Sequence, residues 1–199
     1  MFFQTLTEDP ISYFRIVAIV IISVTLHELA HGVAALSQGD DTPRLTGHMT
    51  PNPVVHMGWE SIILLCVGGI AWGQMPINPA NFRSAKWGDV FVSAAEPLAN
   101  LGLGILSILL LVAAPHVPFL SAKFFYLAAQ TNLALFLFNL LPIPPLDGFH
   151  VFKKVFPVLN LLDSQRMALF GLMILFLVPG FGAGLYASAD LIIQSLARR

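Results

Sequence analysis

Residues 11–37 read ISYFRIVAIVIISVTLHELAHGVAALS. The run is apolar over most of its length and carries the group His27-Glu28-Leu29-Ala30-His31. As one helix it is long enough to cross a membrane. Residues four apart share a helix face, so His27 and His31 can bind one metal ion. Glu28 follows the first of them and can reach a metal-bound water as general base. The five-residue pattern alone is common by chance in soluble proteins. Within an apolar span its meaning changes, because ionisable groups there are costly to place and mark functional sites. The alternative, three polar residues simply paired off in a helix bundle, finds no support in the neighbouring sequence.

The whole chain agrees with this membrane setting. Of its 199 residues 56% are hydrophobic and 11% are charged, against about 25% charged in a soluble domain. Its mean hydropathy is +0.77. A soluble domain of this size has too much surface for its volume to hide so much apolar material. An ordinary soluble domain, a disordered chain and a nucleic-acid binder are thereby excluded, and a net charge of −1 implies no attraction to polyanions. The single cysteine, Cys66, rules out an internal disulfide.

Further apolar stretches cover Ser61–Gly73, Gly88–Ala114 (with Pro97 inside), Phe119–Leu141, Met167–Val178 and Gly182–Leu196. Pro179-Gly180-Phe181-Gly182 separates the last two. At about 20 Å, Ser61–Gly73 is too short for a hydrocarbon core of about 30 Å. Residues 38–59 and 75–87 are rich in turn formers and read as loops or short strands. The first ten residues hold no Lys or Arg and carry Glu8 and Asp9, unlike a cleavable signal peptide. The length leads to the expectation of one membrane domain over 1–199, with a core at about 11–155 and C-terminal helices at about 160–199.

A second polar feature is Asn139-Leu-Leu-Pro142-Ile-Pro144-Pro145-Leu-Asp147-Gly148. Three prolines deny a helix its hydrogen bonds. Irregular backbone at membrane depth is tolerated only where it is buried in protein or lines a cavity. The stretch therefore ends the fourth apolar segment and lines a polar cavity, or forms a turn at the membrane surface.

These two motifs, in this order, resemble those of the site-2 protease family of intramembrane zinc metalloproteases, in particular its small bacterial members without an appended PDZ or CBS domain. Weaker matches run between them: Leu45-Thr46-Gly47 to His56, Met75-Pro76-Ile77-Asn78-Pro79 with Asn81-Phe82-Arg83, and Ala95-Glu96-Pro97-Leu98-Ala99-Asn100. The resemblance covers roughly residues 11–155. It implies that His27, His31 and Asp147 ligate one zinc ion and that Glu28 activates water. It also implies that Asn139 helps to stabilise an oxyanion, with Asn100 as a second such group. The fold implied is an all-α polytopic membrane protein of five to six membrane segments. It has a three-helix catalytic core and a short re-entrant or β segment between the first two core helices.

One residue departs from the family pattern. Glu96 stands where the family usually has Gly, and a Gly there allows close helix packing. Glu96 either pairs with a His or Lys, or sits at the polar end of its span, or has a role near the active site. His48, His56, His116 and His150 read as surface or hydrogen-bonding residues rather than ligands, and His150–Phe156 looks amphipathic.

Orientation rests on the short segment. Whether Ser61–Gly73 crosses the membrane or dips in and returns, the ten Lys and Arg residues split eight to two, so the positive-inside rule does not choose. The metal ligands do. His27 lies about 24 Å along its span from Ile11, and Asp147 just beyond the fourth stretch. Both reach one ion only if the short segment is re-entrant. That places the N-terminus outside and the site toward the cytoplasm, in the inner membrane of a bacterium. An open strand in that segment would let an unwound substrate add to it. The partners expected are a transmembrane protein or peptide substrate and the lipid bilayer, with no nucleic acid and self-association left open. The competing function is a membrane metal-ion transporter using the same His and Asp site. Glu28 argues against it, since a transit site needs no base between its ligands.

Overall fold

The computed structural model describes residues 2–84, 87–117 and 121–197. Phe119, which opens the fourth apolar stretch, and Lys86, Arg198 and Arg199, which enter the charge split, lie outside the described residues. The described residues form nine α-helices and no strand. The helices are α1 (Phe2–Glu8), α2 (Pro10–Ser37), α3 (Thr42–Leu45), α4 (Pro53–Gly68), α5 (Gly88–Ala113), α6 (Ala122–Asn139), α7 (Asp147–Val155), α8 (Gln165–Leu177) and α9 (Phe181–Ala197). Of these, α2 and α5 are long and apolar enough to cross a membrane.

Local chemistry sets the helix ends. Asp9 caps α2 by accepting the Ser12 N–H at 3.0 Å, and Pro10 supplies a preset φ in the first turn. The same carboxylate accepts from Lys123 Nζ at 2.7 Å, tying the start of α2 to the start of α6. Lys123, with help from Ser12, holds the Asp9 carboxyl well below the usual range. Ser121 caps α6 through the Phe124 N–H.

The core joins α5, α6 and α9 through Ile108, Ala129, Leu133, Ala189 and Ile193. Gly104 lets α5 approach α6, since a Cβ there would meet Leu133 at 3.0 Å. A buried-side polar tie reinforces this contact. Asp190 on α9 accepts from Tyr126 Oη at 2.7 Å and from Gln130 Nε2 at 2.8 Å, both on α6.

The segment between α2 and α5 folds back on itself. Gly58 (φ 68°, ψ 165°) interrupts α4 near its start, and Gly69 (φ 72°) ends it in the left-handed region. Along its length α4 packs antiparallel to α2: Met57 and Leu65 cluster with Val24, and the Tyr13 hydroxyl donates to the Cys66 carbonyl. Residues 70–78 then return beside α4. Ser61 Oγ donates to the Trp72 carbonyl at 2.7 Å and accepts the Trp72 N–H at 2.9 Å, and the Gln74 N–H donates to the His56 carbonyl at 2.9 Å. The return ends where α2 ended, with Asn78 N–H on Asp40 and Arg83 N–H on the Gln38 carbonyl, both at 2.7 Å.

This corrects one expectation. The returning residues are extended, yet they run beside a helix, which offers no ladder of free backbone groups. No β segment forms there among the described residues. Among the described residues, 38–59 hold α3 and the start of α4, and 75–87 a short 3-10 turn, not strands.

Candidate metal centre

Three elements converge near the C-terminal half of α2. From α2 itself come His27, Glu28 and His31, all buried. Helix α5 contributes Glu96 and Asn100, also buried and one turn apart on the face toward α2. Asp147 is the first residue of α7. Gly148 allows this placement, because a Cβ on it would run into the backbone of Leu140 and Leu141 at the end of α6. Helix α7 is drawn to α5 by Asp89, which faces His150 Nδ1 at 3.9 Å and Lys153 Nζ at 4.0 Å.

A cavity of about 620 Å³ opens at this junction. His27, Glu28, His31, Glu96, Asn100, Asn139 and Asp147 all line it, and residues 70–75 of the return segment form one wall. Gly73 stands directly against the Glu28 side chain, and any Cβ there would overlap its carboxyl. All five residues singled out in the sequence for catalysis or metal binding thus share one cavity.

Their spacing differs in detail from the expected set. His27 Nε2 lies 3.5 Å from Glu96 Oε2 and 3.7 Å from Asp147 Oδ2. Among the described residues, the donor atoms of His27, Glu96 and Asp147 all fall within 4.8 Å of one another. His31 joins through Glu96, with Nδ1 3.1 Å from Oε1. Sequence reading singled out Glu96 without placing it in the site. The signal was available, since a carboxylate in an apolar span needs a partner and the two nearest histidine faces lay on α2.

The donor chemistry fits a metal. Imidazole and carboxylate donors about 2.1 Å from a tetrahedral ion stand about 3.4 Å apart. The distances here bracket that value and mostly exceed a charge-assisted hydrogen bond. His31 Nδ1 is buried and makes no hydrogen bond despite the nearby carboxylate. The amide of Asn100 lies 3.0 Å from His27 Nδ1, whereas its Oδ1 is buried without a partner. The other histidines are employed elsewhere: the His56 ring Nε2 contacts the Thr50 carbonyl at 2.7 Å, His48 meets Thr46, and His150 faces Asp89. The side chain of His116 lies outside the described residues.

Comparison with known proteins bears on this site. The model of the family described as "Peptidase family M50" matches residues 118–178, a span that includes the Asn139–Gly148 motif. The chain is 36% identical over 176 residues to "Putative zinc metalloprotease YwhC" of Bacillus subtilis, covering 82% of this chain and 80% of the relative. It is 30% identical over 195 residues to "Putative zinc metalloprotease Rip2" of Mycobacterium tuberculosis, covering 87% and 72% respectively. No solved structure shows significant similarity. With the first relative matched along four fifths of its length and the paired motifs gathered at one cavity, the chain belongs to peptidase family M50, the site-2 family of zinc metalloproteases.

Proposed function

We propose that the chain is an intramembrane zinc endopeptidase that hydrolyses peptide bonds in or near transmembrane segments of membrane-protein substrates. The observation that carries this reading is the convergence of Glu28, both α2 histidines, Asp147 and Asn139 on one cavity. His27, His31 and Asp147 are the residues assigned to the ion. When bound, zinc lowers the pKa of a water toward 7 and polarises a carbonyl. Glu28 takes the proton of the attacking water and delivers it to the leaving nitrogen. Asn139, at the rim of the cavity, donates its amide N–H to the developing oxyanion.

Asn100 has a positioning role in this scheme. The structure sets its Nδ2 3.0 Å from His27 Nδ1; with the two amide ends exchanged, its oxygen accepts the Nδ1–H and fixes the ring tautomer. Nε2 then keeps its lone pair on the side of Asp147. The 1% exposure of Asn100 agrees with a residue that touches the ligand rather than the substrate.

The fold-back of residues 53–78 supports a re-entrant segment. It starts and finishes at the C-terminal end of α2, so α2, α5, α6, α8, α9 and the dipping α4 make up five to six membrane segments in one unit. With a re-entrant segment and the basic majority inside, we read the N-terminus as outside and the cavity as facing the cytoplasm of a bacterial inner membrane. Glu28→Gln tests the function, with the purified protein in detergent or liposomes and a model transmembrane substrate. Cleavage is expected to fall at least about a hundredfold with zinc content retained. Undiminished cleavage would refute the assigned base.

A further inference from the structure

We propose that Glu96 is a further protein donor to the metal, so that the resting site is closed by protein and opens only when this carboxylate leaves. The inference rests on the zinc-protease reading above. Three observations carry it. Glu96 reaches both histidines at once, His31 through Oε1 at 3.1 Å and His27 through Oε2 at 3.5 Å. Its donor atom forms, with those of His27 and Asp147, the group that lies within 4.8 Å among the described residues. And His31 Nδ1, on a residue that is 8% exposed, lies beside the Oε1 of that same carboxylate without a hydrogen bond.

Physical alternatives account for less. A structural ion pair would show short, aligned contacts of about 2.7–2.9 Å, and the pairs found here are longer. Two carboxylates, buried Glu96 and partly exposed Asp147, are held side by side, and Glu96 has no Lys or Arg partner among the described residues. Such a pair is costly unless a shared proton or a cation compensates it, and a divalent ion among four donors supplies the second. Four protein donors complete a tetrahedral shell, whereas a catalytic site keeps a position free. Glu96 therefore occupies the position that water or substrate must take, and its displacement becomes the step that opens the enzyme.

The test uses the full chain, purified with zinc and separately with cobalt, as native protein, Glu96→Gln and Glu96→Gly. Glu96→Gln preserves side-chain volume, and two variants ensure that a folding defect in one does not decide the outcome. Zinc transfer to a chromophoric chelator is expected to be about tenfold faster or more in both variants. Azide added to the cobalt forms is expected to shift the visible band of the variants and to leave that of the native protein unchanged. A native band as sensitive to azide as the variants' overturns the proposal, whatever the zinc transfer rates. A native chain that retains no zinc through gel filtration overturns the zinc-protease reading itself, and this proposal with it.

Discussion

Asp40 and the Glu96–Asp147 pair are carboxylates kept from water in the same helical bundle, and they are treated in opposite ways. Asp40, just past α2, has no exposed surface and receives four hydrogen bonds: Thr42 N–H at 3.1 Å, Thr42 Oγ1 at 2.5 Å, Asn78 N–H at 2.7 Å and Asn81 Nδ2 at 2.9 Å. Three neutral donors reach Oδ1 and one reaches Oδ2, and the carboxylate staples the end of α2 to the end of the returning segment. Glu96 and Asp147 stand beside each other and face imidazole rings at 3.1–3.7 Å. A satisfied carboxylate is finished structure. One left beside a second carboxylate and two imidazole rings, in a cavity, is prepared for a cation.

The largest effect should separate the two clusters outright. His27→Ala is expected to lower bound zinc to a minor fraction of the native stoichiometry and cleavage by about a hundredfold or more. Asp40→Asn should leave zinc stoichiometry near native in the folded fraction, as measured by metal analysis after gel filtration. A loss of zinc in Asp40→Asn equal to that in His27→Ala would erase the distinction.

Asp40→Ala should instead strike stability. It removes four hydrogen bonds, each worth about 0.5–1.5 kcal/mol net, so a loss of about 2 kcal/mol or more is expected from denaturant or thermal unfolding in detergent. Acid offers a companion measurement. Burial raises the Asp40 carboxyl, but hydrogen bonds from Asn78, Thr42 and Asn81 outweigh it and hold the group below its ordinary value. Its contribution is therefore complete above the unfolded value of about 4 and is lost as pH falls through the lower folded one. The native protein should lose stability relative to Asp40→Asn across that acid window. Parallel stability curves would show that the four hydrogen bonds contribute nothing.

A smaller and more local effect is expected from Gly73→Ala. The added Cβ overlaps the Glu28 carboxyl, and either the base or the return segment must shift, at about 1–3 kcal/mol. Cleavage should drop while zinc stays bound, because Glu28 is assigned no metal contact. Retained cleavage would mean that Glu28 has room to spare. The smallest change is expected next door to Asp40. Asp41 and Arg44 form an exposed pair at 3.3 Å, and Arg44→Ala should alter stability by less than about 0.5 kcal/mol. Neighbouring acids would then differ severalfold in effect for one reason, burial.

Much of this was legible in the chain. The α2 boundaries follow the apolar run from Ile11 to Ser37 and extend it by one residue, and the break at 179–182 separates α8 from α9 as the Pro-Gly pair requires. His27, Glu28 and His31 were fixed by helix periodicity. The β reading of the short segment failed because extended backbone near a sheet-like turn composition looks the same whether its partner is a strand or a helix. Glu96 was visible as an anomaly, but its direction was not, since helix rotation about α5 depends on what α5 packs against.

By itself, then, the sequence determined the membrane setting, the helices and the pairing of two histidines with a base, because hydropathy and a 3.6-residue period act locally. Resemblance alone had named Asp147 as the acid that joins them, and only the tertiary structure brought Glu96 to those histidines. Glu96 and Asp147 lie more than sixty residues from His27, and no local rule specifies a meeting between α2, α5 and α7. That meeting depends on Gly148 pressed against the end of α6, on Asp89 holding α7 to α5, and on a segment that turns back beside α4 after Gly69.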